Sequence, residues 1–226
     1  MPLKYKCLIL DHDDTAVNST ATIHYPAHLE VMRRLRPGYT PVSLHDWWLK
    51  NFEPGLMEYL TEELHMTAEE VQMEYLIWRE YTTTRIPAFY PGFIEALSEY
   101  KKAGGVFSVV SHSEVELIER DYSHGAGGFD LFPDLVFGWD FDASKRKPSP
   151  WPVEETLGYF GVSRDEALIV DDLKPGVLMS QATGVPAAAA GWSHDIPEIR
   201  TYMEAQCVTY FHTVEQFRSF ILASSR

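Results

Sequence analysis

The sequence predicts an α/β protein in which a doubly wound, Rossmann-like parallel sheet carries a helical insert after its first strand. From residue 89 onward, short apolar runs alternate with stretches of helical periodicity. This alternation is typical of parallel sheets whose crossovers are helices. Before residue 89 only the first run has strand character, and the rest is helical. We therefore expect a core domain, residues 1–17 and 89–226, and an inserted helical domain, residues 18–88.

The composition indicates a folded chain with a sizeable core, because 45% of its 226 residues are hydrophobic and 13% are aromatic. The net charge of −14 disfavours nucleic acids and anionic membranes as partners, since both attract basic surfaces. Cys7 and Cys207 lack a metal-binding spacing, and no stretch has the pattern of a signal peptide or a membrane span. We therefore expect a cytoplasmic protein, of undetermined oligomeric state.

The first strand, Cys7–Leu10, runs directly into three acids and a threonine. Such a run is typical of a central parallel strand that delivers its last side chains to the ligand-binding edge of the sheet. Asp11 and Asp13 are two residues apart, so their carboxylates can share one ligand while His12 points the other way. Close carboxylates repel unless a cation or a proton relieves them, and oxygen ligands favour Mg²⁺. An acidic turn that merely closes a strand is the alternative.

The helical insert has a clear start signal at Thr67-x-x-Glu70, the pattern of a capping box. Val71, Tyr75 and Trp78 follow at the spacing of one helix face, which predicts an amphipathic helix.

After residue 89 the remaining elements follow in alternation, and three strand ends are polar. Strands are predicted at Val106–Val110, Leu135–Phe137 and Ala167–Val170, with weaker ones at 186–190 and 208–211, and helices at 93–100, 117–125, 152–160 and 214–222. Besides the first strand, polar ends occur at Ser111 and at Asp171-Asp172. Adjacent acids after four apolar residues are poorly explained by packing, so they indicate a site.

Four motifs now stand in order along the chain, and together they resemble those of the haloacid dehalogenase superfamily. They are Asp11-x-Asp13-x-Thr15, Ser111, Lys147-Pro148-Ser149-Pro150 and Asp171-Asp172. Phe89–Phe93 and Phe129-Asp130 further resemble the phosphoglycolate phosphatase-like branch of this superfamily. In that branch a helical cap lies between the first and second motifs, where residues 18–88 stand. The resemblance implies a Mg²⁺-dependent phosphatase that acts on a small phosphorylated metabolite.

The resemblance also implies a role for each motif residue. Asp11 is expected as the nucleophile that forms an aspartyl-phosphate, and Asp13 as the general acid and base. Ser111 and Lys147 are expected to bind the phosphoryl group and to assist catalysis. The expected metal ligands are the Asp11 carboxylate, the Asp13 backbone carbonyl and Asp172, with Asp171 as a direct or water-mediated ligand.

Three residues depart from the family pattern. Asp14 stands where this branch usually has glycine, and we expect it to face solvent or to contact the cap. His12 replaces an apolar residue and is more readily explained as structural than as catalytic. His112 adjoins Ser111 and is a candidate for contact with the phosphate or the leaving group.

The cap is expected to select the substrate, and any of its arginines could recognise a second anionic group. The alternative for each arginine is a solvent-exposed position on a helix, without a functional role. These arginines are Arg33, Arg34, Arg36, Arg79 and Arg85.

Several alternatives stay open at the level of sequence. The nearest is a phosphotransferase resembling β-phosphoglucomutase, which returns the phosphoryl group to a sugar instead of to water. A non-catalytic phosphate-binding protein of the same fold is a second. A receiver-like signalling module is a third, disfavoured because Lys147 precedes Asp171-Asp172 and a long insert follows the first motif.

Overall fold

A computed structural model describes residues 3–125 and 131–223 and confirms the predicted fold class. Its centre is a six-stranded parallel sheet with the strand order β3-β2-β1-β4-β5-β6. The strands are β1 Cys7–Leu10, β2 Val106–Val110, β3 Leu135–Phe137, β4 Ala167–Asp171, β5 Ala187–Ala190 and β6 Thr209–Phe211. From β1 to β3 successive strands are added on one side of β1, and from β4 to β6 they are added on the other side. Strands β1 and β4 therefore lie side by side at the centre. This junction between β1 and β4 is the switch point at which open α/β sheets bind ligands.

The sheet is buried on both faces, and alternation along β1 shows why the strand is apolar throughout. Leu8 and Leu10 belong to one hydrophobic cluster, and Cys7 and Ile9 belong to another. Because successive side chains point to opposite faces, each cluster receives every second residue of the strand. A strand between two helical layers therefore has no polar face to present.

Six helices accompany these strands in the described part of the core. They are α5 Phe93–Lys102, α6 Val115–Gly125, α7 Trp151–Phe160, α8 Lys174–Thr183, α9 Pro197–Gln206 and α10 Val214–Ile221. Glycines with a left-handed backbone end α7 at Gly161 and α8 at Gly184, as expected for residues that lack a Cβ. The Phe129-Asp130 motif lies outside the described residues.

A second capping-box pattern, Ser163-x-x-Glu166, precedes β4. It initiates a short 3-10 turn, Arg164–Glu166, and not a longer helix. The Glu166 carboxylate accepts hydrogen bonds from the amide and the hydroxyl of Ser163. The local pattern is therefore satisfied without a helix.

Residue contacts divide the chain into two compact units, Met1–Asn18 with Ala88–Arg226, and Ser19–Pro87. Within the first unit, the Asn18 amide donates to the Ala88 carbonyl at 2.9 Å, so the chain leaves and re-enters this unit at adjacent points. The role of Ser19–Pro87 as a cap stays a prediction.

The unit Ser19–Pro87 is helical and has its own hydrophobic core. Its helices are α1 Tyr25–Leu35, α2 Leu44–Phe52, α3 Leu56–Glu58 and α4 Ala68–Thr84, with π-helical turns at Thr20–His24 and Tyr59–Glu63. The predicted capping box at the start of α4 is present, with both of its hydrogen bonds. On α4, Val71, Tyr75 and Trp78 are only partly buried, whereas Ile77 is buried in the core.

Over the residues described, no helix has the length and apolar character that crossing a bilayer requires.

Candidate active site

Four carboxylates and one lysine converge at the carboxyl edge of the sheet, beyond β1 and β4. Asp11 follows β1, and its amide donates to the Val170 carbonyl of β4 at 2.9 Å. Because β1 and β4 are paired in register, the side chains that follow them meet at one place. The structure thus brings together Asp11, Asp171 and Asp172, as the strand ends predicted.

Lys147 lies between the acids. Its Nζ donates to Asp11 Oδ1 at 2.5 Å and to Asp171 Oδ2 at 3.0 Å, and its side chain is 5% exposed. Burial alone would lower the pKa of Lys147, but the two carboxylates raise it above its ordinary value. The lysine is therefore a fixed positive charge.

The other basic residues of this motif lie elsewhere. Lys145 is exposed, and the guanidinium of Arg146 stacks over the Trp139 ring at 4.1 Å. Of the three basic side chains in sequence, Lys147 is the one that contacts the acids.

The acids carry more negative charge than Lys147 can balance. Burial is the main cause that raises the pKa of Asp11 to about 7, and Asp171 and Asp13 raise it further against the opposing effect of Lys147. Burial and the neighbouring Asp11 raise the pKa of Asp172 well above its ordinary value. These shifts have the direction expected for like charges crowded together away from water.

The same acids fit a divalent cation. One carboxylate oxygen each from Asp11, Asp171 and Asp172 lies within 4.8 Å of the others. Asp172 Oδ2 is buried and accepts no hydrogen bond from the described residues. A buried oxygen without a donor is costly unless a cation or an unseen donor satisfies it. The donor set is made of oxygens, which suits Mg²⁺.

Asp171 is held by its own surroundings as well as by Lys147. Its Oδ1 accepts from the Leu173 amide at 2.9 Å, while Oδ2 accepts from Lys147. Gly176 in the first turn of α8 allows this approach, because a Cβ there would lie 2.2 Å from the Asp171 Cβ. The helix can begin against the site only with glycine at this position.

Asp13 projects to a pair of serines beyond β2. Its Oδ2 accepts from the Ser113 hydroxyl at 2.6 Å and from the Ser111 hydroxyl at 3.2 Å. The Ser113 amide in turn donates to the Ser111 hydroxyl at 3.1 Å. Ser113 was missed in the sequence analysis. Its position two residues after Ser111 was the available signal, because the same spacing was used to pair Asp11 with Asp13.

His112 contacts the backbone that carries Lys147. Its Nε2 lies 2.8 Å from the Lys147 carbonyl, so Nε2–H is the donor. The ring is partly open to solvent, yet desolvation and the Lys147 charge lower the pKa of His112 below its ordinary value. His112 is therefore a neutral side chain that ties the segment after β2 to Lys147. Its predicted contact with phosphate stays a prediction.

His12 points away from the acids, as expected, and its ring is buried. Its Nε2 lies 3.1 Å from Asp121 Oδ2 on α6.

His194, on the segment after β5, was also missed. Its Nε2 lies 3.9 Å from Asp172 Oδ2, and burial lowers the pKa of His194 to about 4. No spacing rule links a histidine there to the acid after β4.

The expectation that Asp14 faces solvent is wrong. Asp14 is 2% exposed and has a left-handed backbone, with φ of 59°. The Tyr90 hydroxyl lies 3.5 Å from its Oδ1. The turn that follows β1 needs this conformation because the Asp14 amide donates to the Val17 carbonyl at 2.7 Å. A residue other than glycine pays steric strain there.

We expect Asp14→Gly to be more stable than Asp14→Ala by about 1 kcal/mol. Both variants lose the carboxylate, but only alanine keeps the Cβ that makes φ of 59° unfavourable. Urea unfolding of the two variants measures the difference directly. Equal stabilities would show that the turn relaxes without strain.

Several of the arginines named above are engaged within Ser19–Pro87. Arg33 and Arg34 pair with Glu30, and Arg36 pairs with Glu70. Arg85 lies over the Tyr81 ring at 4.0 Å and donates to the Thr84 hydroxyl at 3.3 Å. Their predicted role in recognising an anionic substrate stays a prediction.

Comparison with known proteins agrees with this architecture. The model of a family described as haloacid dehalogenase-like hydrolase matches residues 8–190. A phosphoglycolate phosphatase from Photorhabdus laumondii is 25% identical over 151 residues, a match that covers 66% of this chain and 61% of that protein. The pyrophosphatase PpaX from Bacillus cereus is 26% identical over 213 residues, which cover 90% of this chain and 89% of that one. The chain thus spans less than two thirds of the first relative.

A solved structure supports the fold. The haloacid dehalogenase-like family protein from Streptococcus pneumoniae superposes with a TM-score of 0.74 at 16% identity, covering 96% of this chain and 98% of that one. The two proteins therefore share this fold. The family match extends over most of the chain and includes all four motifs. This chain belongs to the haloacid dehalogenase-like hydrolase family.

Proposed function

We propose that this chain is a magnesium-dependent phosphatase that hydrolyses a small phosphorylated metabolite through an aspartyl-phosphate at Asp11. The observation that carries the proposal is the buried contact of Lys147 with Asp11 and Asp171 beside the unsatisfied Asp172 oxygen. Phosphoryl transfer depends mainly on positioning and on stabilisation of charge, and this cluster supplies fixed charges of both signs.

In the first step a carboxylate oxygen of Asp11 attacks phosphorus, and the bond from phosphorus to the leaving oxygen breaks. The electron pair of that bond goes to the leaving oxygen, which takes a proton from Asp13. The serine hydroxyls on Asp13 Oδ2 orient this acid. Lys147 stays charged and offsets the negative charge of Asp11 and of the phosphoryl oxygens.

In the second step water attacks phosphorus and gives a proton to Asp13, and the bond from phosphorus to Asp11 breaks. Free phosphate and the starting carboxylate result. Two steps with a covalent intermediate replace one harder step.

The cation would be held by the Asp11 carboxylate, the Asp13 carbonyl and Asp172. When bound, it supplies positive charge that stabilises the phosphoryl oxygens. Both oxygens of Asp171 already accept hydrogen bonds. We therefore favour a water-mediated role for Asp171 over direct ligation.

The substrate class follows from the family and from the net charge. An acidic chain must capture an anion locally, through the cation and Lys147, which favours small substrates over polymers. We further propose that Ser19–Pro87 acts as the cap that selects among them.

The free thiols of Cys7 and Cys207 support a cytoplasmic location.

The test is phosphate release from 2-phosphoglycolate, pyrophosphate and a set of sugar phosphates, with Mg²⁺ and with EDTA. We expect release from at least one compound with Mg²⁺ and none with EDTA. β-Glucose 1-phosphate belongs in the set, because its conversion to glucose 6-phosphate would instead identify the phosphotransferase. No turnover of any kind, with Mg²⁺ binding intact, would favour the non-catalytic alternative.

A further inference from the structure

We propose that His12 is a positioning residue, and that its hydrogen bond to Asp121 holds the turn that carries Asp11 and Asp13 in the geometry required for phosphoryl transfer. The proposal rests on the function proposed above. It concerns a side chain that points away from the reacting atoms.

The His12–Asp121 pair is almost wholly buried. His12 is 1% exposed and Asp121 is 3% exposed, and the distance from Nε2 to Oδ2 is 3.1 Å. The other oxygen of Asp121 accepts two hydrogen bonds from Arg120, at 2.9 and 2.7 Å. The Asp121 carboxylate is thus fixed by Arg120 on one side and offers its second oxygen to His12.

Aromatic rings fix the imidazole as well. The Tyr122 ring lies 5.8 Å from it, and the Phe89 ring meets it edge-on at 6.4 Å. Nδ1 of His12 is buried and has no hydrogen-bond partner among the described residues. The bond from Nε2 to Asp121 is therefore the polar contact that sets the orientation of this ring.

The backbone of His12 is the centre of the turn. Its carbonyl accepts from the amides of both Ala16 and Val17, at 2.9 and 3.1 Å. Inside this turn stands Asp14, with its unfavourable left-handed backbone. A side chain anchored to α6 thus fixes the residue that closes the strained turn, and Asp11 and Asp13 flank that residue.

A buried polar pair of this kind is a poor source of stability, because removing both groups from water costs about as much as their attraction returns. An apolar side chain would fill the same space among Tyr122 and Phe89. The hydrogen bond instead fixes the orientation of the His12 ring, and with it the backbone of the turn. Small errors in the placement of reacting groups lower rates strongly. The orientation of this turn therefore matters, because the turn carries Asp11 and Asp13.

The test compares His12→Phe with His12→Gln in the full-length, Mg²⁺-loaded protein. Phenylalanine keeps an aromatic ring but has no donor, whereas the glutamine amide can place a donor near the position of Nε2. Exposed His212 provides the matched control, His212→Phe. The readouts are kcat and KM for the best substrate found, together with Tm.

We expect His12→Phe to lower kcat by at least about tenfold with KM changed by less than about threefold, and His12→Gln to stay within about threefold of the parent. His212→Phe should match the parent. Parent-like kcat in a folded His12→Phe variant overturns the proposal. So does an equal loss in both His12 variants, which would indicate a packing role, and so does a loss that appears in KM alone.

If His12→Phe does not fold, His12→Leu combined with Asp121→Leu decides the question, because each single change removes the hydrogen bond. The two changes should be strongly non-additive in kcat if the pair acts as one unit, and additive effects overturn the proposal. A parent protein without any turnover would refute the phosphatase proposal itself, and the role of His12 with it. If the parent is active, a parent-like kcat in the His12 variants refutes the role of His12 and leaves the phosphatase proposal standing.

Discussion

Asp11→Asn should reduce kcat by at least about 10⁴-fold, because an amide oxygen does not replace a carboxylate as nucleophile. Asparagine keeps the shape of the side chain and can still accept a hydrogen bond from Lys147 Nζ. The loss should therefore come from chemistry and leave the fold intact. Phosphate release under saturating Mg²⁺ and substrate measures it.

Stability provides the control for this variant. Burial raises the pKa of Asp11 to about 7, so its charged form is disfavoured in the metal-free fold. A neutral asparagine removes that cost, and we expect the metal-free variant to be at least as stable as the parent at pH 8. A folded variant with parent-like turnover would contradict the assignment of Asp11 as nucleophile.

Lys147→Met should lower kcat by about 10³-fold and should also make the metal-free protein more sensitive to high pH. Methionine fills similar space without charge, so Asp11 and Asp171 lose the ammonium between them. The exposed neighbour offers a matched control, Lys145→Met, which should retain parent activity. Steady-state kinetics on both variants give the comparison.

The sign of the pH effect follows from the raised pKa values. Asp11 titrates near pH 7 in the fold against 3.8 as its ordinary value, so the stability it contributes is complete below pH 4 and is lost as pH rises through 7. Without Lys147 the acids repel more strongly, and their pKa values rise further. We expect the Tm of Lys147→Met to fall between pH 6 and pH 8 by at least about 2–4 °C more than that of the parent.

An equal pH dependence in both proteins would contradict the placement of Lys147 among the acids. A loss of activity in Lys145→Met as large as that in Lys147→Met would contradict its assignment as the functional lysine.

The order of the elements and the polar strand ends could be predicted because both depend on local pattern. β4 extends to Asp171, one residue beyond the predicted end, since the acid still pairs with Ala189 of β5. The Thr67 capping box is confirmed because its two hydrogen bonds lie within one turn of α4.

What sequence reasoning missed depends on contacts between distant segments. Ser113 and His194 both lie near acids of other loops. The spacing from Ser111 is the one local signal for Ser113, and nothing local to His194 indicates its contact. Asp14 was expected to face solvent or to contact the cap. Asp14 is instead buried in the turn after β1. Its burial depends on how other segments pack over the turn, which the local sequence does not indicate.

The Ser163 signature shows the limit of a local rule. The same two side chains satisfy a 3-10 turn as well as a helix, and the strand that follows decides which one forms. The direction of His12 could be predicted from strand alternation, but its partner on α6 could not.

In the proposed mechanism, phosphorus becomes bonded to Asp11 during turnover. Acid quench of the parent protein a few milliseconds after mixing with substrate and Mg²⁺, followed by borohydride reduction and peptide mass spectrometry, tests it most directly. Reduction converts an aspartyl-phosphate into homoserine, and we predict homoserine at position 11 in the parent and none when EDTA replaces Mg²⁺. Steady turnover with an unmodified Asp11 peptide, or with the reduced residue at another position, would contradict this mechanism.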